Sequence, residues 1–433
     1  MTDSVATTIA REHQPAIAFL PWADRFEDFH DKIGISLEDF RDGLTGTWLF
    51  NYVEAFQAAG VRPVLYFVSA RVPGVIRFTH MATGAMVRFL PAPWVHRKLQ
   101  GARDRLRIDS PILTSALTYA ATPWRTMAGQ IRRDGCQAIF CHEYEYPRFD
   151  EAIVLGRALH IPVFATYQGS NAPGSLLEVP FRRAAIRRAA GLVIGTTGEI
   201  RRVRSAYGLP AERATLVPNA FDVSRWRPID RQAARAALGI ARDACVLSWQ
   251  GRVEMHRKGL DVLLDAWQQL CATRPGAKLL LLLVGSGQDA EALARRVASL
   301  PPGTVRWENH YLLDRHVLWQ YLSAADIATL PSRHEGFAVT VIEAMACGLP
   351  VVATAVSGVA EALGPEPAGL IVPREDPAAL AEAMGRLVDD ESLRGELGRR
   401  GRRRAEREFS LDAVGRQLRA FMEERGAFQS HHA

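Results

Sequence analysis

The stretch that most constrains this chain is Arg333 to Ala355, RHEGFAVTVIEAMACGLPVVATA. A short apolar run, Ile327 to Leu330, precedes it and ends in Pro331 and Ser332. Val339, Ile342, Met345 and Ala346 then recur at helical spacing. Gly348 is a helix stop, and Pro350 cannot continue a helix. The order is strand, turn, helix, strand, with the apolar helical pattern running from Phe337 to Cys347. The helix is expected to start just after Glu335 and Gly336, with its unpaired backbone N–H groups pointing outward.

Two carboxylates flank this turn, Glu335 at its mouth and Glu343 eight residues on. Eight helical residues span roughly 12 Å. That span suits a ligand with a hydroxyl-rich group at each end and an anion between. A nucleotide sugar is such a ligand, and helix N-termini commonly meet phosphates. Taken alone, the same spacing also describes a helix with one exposed Glu at each end.

The surrounding residues carry a resemblance. PSRHEGF, VIEAMACGLPVVAT and Gly358 resemble the Glu-x7-Glu region of glycosyltransferase family 4, retaining enzymes of the GT-B fold. The resemblance implies an α/β chain of two Rossmann-like domains facing a deep interdomain cleft. It implies an acceptor domain over 1–226 and a nucleotide-sugar donor domain over 227–409. The last helix, 410–424, is expected to cross back to the first domain. The boundary is drawn at Trp226 to Pro228.

Other positions extend the match. Strands alternating with helices from Cys245 onward imply a parallel sheet covered on both faces. After the first of these strands comes Gly251-Arg252-Val-Glu-Met-His-Arg-Lys258-Gly259. An Arg fork and a Lys point charge at such a turn can neutralise a diphosphate. By the resemblance Arg252 and Lys258 hold the diphosphate, together with backbone N–H groups of Gly336, Phe337, Ala338 and Val339. Glu335 would bond the sugar hydroxyls and Glu343 the ribose. Gly285 and Ser286, at the end of the long strand, would let the nucleotide approach the backbone. Asn309, His310 and Tyr311 would border the base.

In the first half, Ala16 to Leu20 and Pro63 to Val68 read as strands, and Trp48 to Ala59 as a helix. Gly43, Gly46 and Thr47 precede that helix as a strand-to-helix turn. The resembled family has a Gly-rich loop here, facing donor and acceptor, although with adjacent glycines. Gln137 to Cys141 is a strand leading into His142, and strand carboxyl ends line ligand crevices in open sheets. His142 matches a family His near the reacting sugar; its plain alternative is a surface His on a loop. Gln168 stands where relatives often have His, and Ala220 where they usually have Gly. Arg182, Arg183, Arg187 and Arg188 are expected to form the charged outer face of a helix over 176–190.

Ala55 to Arg103 contains no Asp or Glu, and between Arg71 and Arg107 the only acid is Asp104. Phe78, Phe89 and Trp94 are interleaved with eight Lys or Arg residues. Such a segment fits an amphipathic stretch on an anionic membrane surface, or equally a solvated helical face. The net charge of +6 does not choose between partners. No nucleic-acid motif accompanies the charge, so nucleic acid is not expected.

The first residues carry no long apolar core, so no secretory signal is expected. The longest apolar run, Leu279 to Val284, is far short of the roughly 20 residues of a spanning helix. Five cysteines without a Cys-x-x-Cys fit buried thiols in a reducing compartment. A cytoplasmic protein, soluble or peripheral at the inner face of the cell membrane, is expected.

The chain is thus expected to be a metal-independent hexosyltransferase. It would move a hexose-type sugar from a nucleoside-diphosphate sugar to a glycan or lipid-linked acceptor in cell-envelope, exopolysaccharide or glycolipid synthesis. No Asp-x-Asp is present, so no metal and no cofactor beyond the donor are expected. Two alternatives stay open: a nucleotide-sugar epimerase or hydrolase on this fold, and a non-catalytic nucleotide-sugar-binding subunit.

Overall fold

The computed structural model describes residues 14–428 apart from 24, 32–33, 44–47, 107–109, 170–177 and 311–314. Gly46, Thr47, Tyr311 and the terminal His431 and His432 lie outside the described residues. The chain divides into two compact units. Unit 1 comprises Met1–Ala220 with Leu411–Ala433, and unit 2 comprises Phe221–Ser410. The chain passes between them six residues ahead of the boundary read at Trp226.

Unit 1 is built on eight strands: β1 (Ala16–Leu20), β2 (Arg62–Ser69), β3 (Ile76–Thr79), β4 (Met86–Pro91), β5 (Cys136–Cys141), β6 (Val163–Thr166), β7 (Gly191–Ile194) and β8 (Ala214–Leu216). Their order is β3-β4-β2-β1-β5-β6-β7-β8, and only the β3–β4 pair is antiparallel. Alternate residues of each strand enter opposite layers. Ala16, Ala18 and Leu20 pack into one apolar cluster, Ile17 and Phe19 into the other. Both faces are therefore covered, as parallel sheets require. The Leu411–Glu424 helix packs on the Trp48–Ala58 helix, where a Cβ on Gly415 would lie 2.1 Å from the Ala55 carbonyl oxygen.

Unit 2 holds β9 (Cys245–Gln250), β10 (Leu279–Val284), β11 (Val305–Glu308), β12 (Ile327–Leu330), β13 (Val351–Thr354) and β14 (Gly369–Val372). All pair in parallel, in the order β11-β10-β9-β12-β13-β14. The order reverses between the first and fourth strands of the unit, the doubly wound pattern of dinucleotide-binding folds.

Three sequence readings are corrected. The segment from Arg71 to Arg107 is not one amphipathic element. It forms the β3–β4 hairpin followed by the Trp94–Leu106 helix, because Phe78 and Phe89 belong to the sheet. Val87 and Phe89 are fully buried, and Arg88 turns inward to pair with Asp134 at 2.7 Å. Gly43 does not open a strand-to-helix turn. It caps the end of the Leu37–Asp42 helix, whose start is set by a Ser36–Asp39 capping box. The Glu178–Arg188 helix does not turn all its arginines outward. Arg182 is wholly buried and ion-paired to Asp150 at 2.8 Å and Glu145 at 3.2 Å.

Among the described residues no helix is long and apolar enough to cross a membrane. The five cysteines are unbridged thiols, three of them buried.

Candidate functional site

In open α/β sheets ligands bind outside the carboxyl ends of the strands, where the order reverses. In unit 2 that point lies between β9 and β12. β9 leads into residues 251–259, and β12 into residues 331–338.

The two loops are stapled together. Lys258 Nζ donates to Glu335 Oε1 at 2.8 Å, and Ser332 Oγ donates to the same oxygen at 2.7 Å. The Lys258 and Glu335 side chains are only 18% and 10% exposed. The close approach depends on Gly259. Its φ is +62°, and a Cβ there would lie 2.0 Å from the Pro331 carbonyl oxygen. Arg333 braces the same junction from behind. It donates two bonds to Asp261, both 2.8 Å, one to the His256 carbonyl and one to Glu375, each 2.7 Å. Burial works to raise the Asp261 carboxyl, but the Arg333 guanidinium holds it below the ordinary carboxylate range.

The helix begins later than the sequence pattern implies. It spans Val339–Ala346, with Ala338 at its N-cap and no side-chain cap. Gly336 and Phe337 lie in the turn ahead of it. Only part of the separation between Glu335 and Glu343 is therefore helical, and the 12 Å estimate from a continuous helix does not apply. Glu343 is not an exposed helix-end residue either. It is 4% exposed, and its Oε2 accepts from Gln250 Nε2 at 2.8 Å. Gln250 is the last residue of β9, so the buried carboxylate is tied to the switch point.

Arg252 is placed differently from Lys258. Its side chain is 68% exposed and pairs with Glu254 at 3.3 Å. Gly285 and Ser286 reach the same loop from the end of β10. A Cβ on Gly285 would lie 1.9 Å from the Gly251 carbonyl oxygen, and Val253 donates its N–H to the Ser286 carbonyl at 3.0 Å. The lack of a side chain at Gly285 thus serves the protein's own backbone crossing.

In unit 1 the order reverses between β1 and β5. His142 follows β5 there, with its N–H bonded to the Leu20 carbonyl at 2.9 Å. It is not a surface loop residue. Its ring is fully buried, 5.7 Å from the Phe19 ring and 5.6 Å from the Tyr52 ring between centroids. Burial pushes its imidazole well below the usual histidine range, so it is neutral near pH 7. Beside it lies a group that sequence reading missed. Tyr52 donates to Asn219 Oδ1 at 3.0 Å and lies 3.2 Å from Thr166, while Gln168 Nε2 reaches Asn219 at 3.3 Å. Burial raises the Tyr52 phenol to about 12. Gln168 also donates its backbone N–H to buried Glu143 at 3.0 Å.

The structure therefore brings Lys258, Glu335 and Ser332 together, and Glu343 with Gln250. It leaves Arg252 in solvent. Ser332 and Gln250 each sit within two residues of a strand's carboxyl end, which was the sequence signal available for them. Among the described residues no group of three His, Cys, Asp or Glu side chains is arranged to hold a metal ion.

Two doubly wound units of this kind are the GT-B architecture, the class the fold defines. The Anabaena protein HepE in complex with UDP superposes with a TM-score of 0.68 at 16% identity, covering 94% of this chain and all of that one. Sucrose-phosphate synthase from Thermosynechococcus elongatus gives 0.65 at 20% identity, over 95% and 99%. A family model described as Glycosyltransferase Family 4 matches residues 45–225, and one described as Glycosyl transferases group 1 matches residues 244–390. D-inositol 3-phosphate glycosyltransferase 1 of Catenulispora acidiphila is 30% identical over 80% of this chain and 83% of its own length. A GDP-mannose-dependent phosphatidylinositol monomannoside mannosyltransferase of Corynebacterium glutamicum is 33% identical over 59% and 68%. The D-inositol 3-phosphate glycosyltransferase of Geodermatophilus obscurus is 36% identical over 52% of this chain. That match spans only about half, 51%, of the relative. The chain belongs to the family 4, group 1 glycosyltransferases.

Proposed function

We propose that the chain transfers a hexose-type sugar from a nucleoside-diphosphate sugar to a glycan or lipid-linked acceptor, with retention at the anomeric carbon. The observation that carries this reading is the Lys258–Glu335–Ser332 cluster at the unit 2 switch point, with Glu343 buried eight residues on. Both bonds to Glu335 fall on Oε1, so Oε2 is assigned to a sugar hydroxyl. Lys258, with the backbone N–H groups of Gly336, Phe337, Ala338 and Val339, is assigned to the leaving diphosphate. Arg252 closes on it from solvent. Glu343, oriented by Gln250, is assigned to the ribose. Gly285 and Ser286 are assigned to the nucleotide, and within unit 1 neutral His142, at the carboxyl end of β5, is assigned to orienting a sugar or acceptor group. Charge that grows on the leaving group is where stabilisation accelerates the reaction. The cations take the part a divalent metal plays elsewhere, so chelation by EDTA should leave the rate unchanged.

An anionic membrane surface is the proposed docking partner, at the cytoplasmic face. The Trp94–Leu106 helix supports it. Trp94 and Leu106 are 63% and 65% exposed, with Arg97, Lys98 and Arg105 also exposed, and Lys98 Nζ stands 5.0 Å over the Trp94 ring. Each basic residue near such a surface contributes about 1 kcal/mol.

The test is a panel of uridine, guanosine and adenosine diphosphate sugars, read by melting temperature and then by turnover with and without a membrane extract. A true donor at 100 times its Kd adds about 2.7 kcal/mol of stability. Turnover only with extract supports transfer, and the anomeric configuration of the product by NMR decides retention. Turnover without acceptor would favour an epimerase or hydrolase. Binding without turnover under either condition would favour a binding subunit.

A further inference from the structure

A cavity in unit 1 lies at the opposite end of the strands from His142 and Gln168. It opens at the amino-terminal ends of β6, β7 and β8 and has a volume of about 580 Å³. Its walls carry Arg157, His160, Arg187, Arg188 and Arg213, and Val163 forms part of its floor. Pro162, Ala190 and Arg213 each immediately precede one of these strands. No residue assigned to sugar transfer touches it.

Three features show how the site is built. The Pro147–Leu159 helix lies so close to β6 that a Cβ on Gly156 would meet Val163 Cγ2 at 2.3 Å. That helix ends in His160, whose φ of +58° turns the chain back into the cavity wall. Arg187 rests against Gly208, where a Cβ would lie 2.9 Å from its Nη2. A side chain at Gly208 would displace this guanidinium.

Among the described residues none of the four arginines forms an ion pair with a carboxylate, unlike Arg182 on the same helix as Arg187 and Arg188. Cations at helix C-termini interact favourably with the backbone carbonyls there, and this accounts for part of the arrangement. Arg213 Nη1 donates to the Arg187 carbonyl at 2.7 Å, and Arg188 Nη1 to the Ala184 carbonyl at 3.1 Å. Those bonds occupy one nitrogen of each. The remaining guanidinium N–H groups, with Arg157 and Arg187, line a concavity within the size range of small-molecule sites. Guanidinium forks match phosphate oxygens bidentately.

We propose that this cavity is a second anion site, separate from the donor site, that takes a compact soluble molecule bearing two or more phosphate charges. A concave pocket suits a small phosphate ester better than the broad face of a bilayer.

The probe is tripolyphosphate, titrated calorimetrically into the full-length protein at fixed salt. Wild-type protein should bind two equivalents, one per site. Lys258→Ala with Arg252→Ala should retain one. Arg157→Ala with Arg188→Ala should also retain one, at an unchanged melting temperature, and that one should be lost when the two pairs are combined. Arg157→Lys keeps the charge without the fork and should weaken the cavity equivalent at least threefold. Two equivalents persisting in Arg157→Ala/Arg188→Ala would overturn the proposal, as would no binding to Lys258→Ala/Arg252→Ala. The lipid source is separated by vesicles containing phosphatidic acid. Sedimentation that does not depend on Arg157 and Arg188 supports a soluble ligand. Sedimentation abolished by that pair, with no tripolyphosphate bound at the cavity, would overturn it.

Discussion

Units 1 and 2 share a doubly wound core and equip it differently. In both, the strand order reverses beside the first strand, and both place polar residues at the carboxyl ends there. In unit 2 those residues are charged and reachable from solvent: Lys258 against Glu335, with Arg252 outside. In unit 1 the group around His142 is mostly neutral: Tyr52 and Asn219 are buried and Gln168 half-buried, beside the buried Glu143 carboxylate. Further ionic groups of unit 1 form a network in which buried Arg182 and partly exposed Arg202 meet Glu145, Asp150 and Glu199. The same doubly wound core thus carries a cation–carboxylate pair in unit 2 and a mainly neutral polar group with one buried carboxylate in unit 1. The side chains at the strand ends decide which.

The contrast can be broken most severely at Arg182. Arg182→Met keeps the stem but takes the guanidinium from buried Asp150, while Glu145 keeps Arg202 and Tyr207, and removing one partner of a buried ion pair costs about 3–5 kcal/mol. A melting curve of the full chain should fall accordingly, and a shift no larger than that of a surface arginine would contradict the buried-network reading. Next comes Lys258→Ala, which should lower kcat roughly 100- to 1000-fold, the usual loss for one electrostatic donor to developing charge. Its melting temperature should fall less than that of Arg182→Met, because Ser332 still donates to Glu335. A rate within threefold of wild type would remove Lys258 from the chemistry. Glu343→Ala should weaken donor binding about tenfold, as a lost hydrogen bond to a charged group does. Gln250→Leu should reproduce part of that effect, since it only orients the carboxylate. Equal affinity in all three proteins would detach both residues from the donor.

A smaller and pH-dependent effect sharpens the unit 1 side. Burial depresses the His142 imidazole below its usual 6.5 in the folded chain. The unfolded chain therefore binds more protons below pH 6.5, and stability is lost as pH falls through that value. The slope from one such histidine is at most about 1.4 kcal/mol per pH unit. His30, also depressed by burial, adds a second contribution of the same sign. His142→Phe should flatten the stability curve between pH 6.5 and 5 without changing it above pH 7.5, measured by denaturant melts. The smallest effect belongs to Arg252→Ala. Its exposed guanidinium should contribute less than threefold to donor affinity at physiological salt, where surface charge is screened.

Much of the scaffold was legible from the chain alone. Ala16–Leu20 and Leu279–Val284 are apolar on successive residues and short, which reads as strands buried on both faces, and both are strands. The 71–107 segment misled because its aromatics alternate with arginines. That pattern fits a membrane-facing helix as well as a hairpin, and only pairing with β2 decides it. Arg182 misled for a related reason. Its neighbours Arg183 and Arg187 are exposed, and nothing local reveals that Glu145 and Asp150, more than thirty residues back, wait for it.

The amino-acid order by itself determined the alternation of strands and helices, the positions of the strand ends and the identity of the charged groups there. These are local properties of periodicity and turn chemistry, and they survive without any partner. Tertiary structure alone decided that Lys258 reaches Glu335, that Glu343 is sealed under Gln250, and that His142 is dry. Each depends on two loops far apart in sequence arriving at one strand boundary. Burial, which sets the protonation of His142, exists only once the layers have closed.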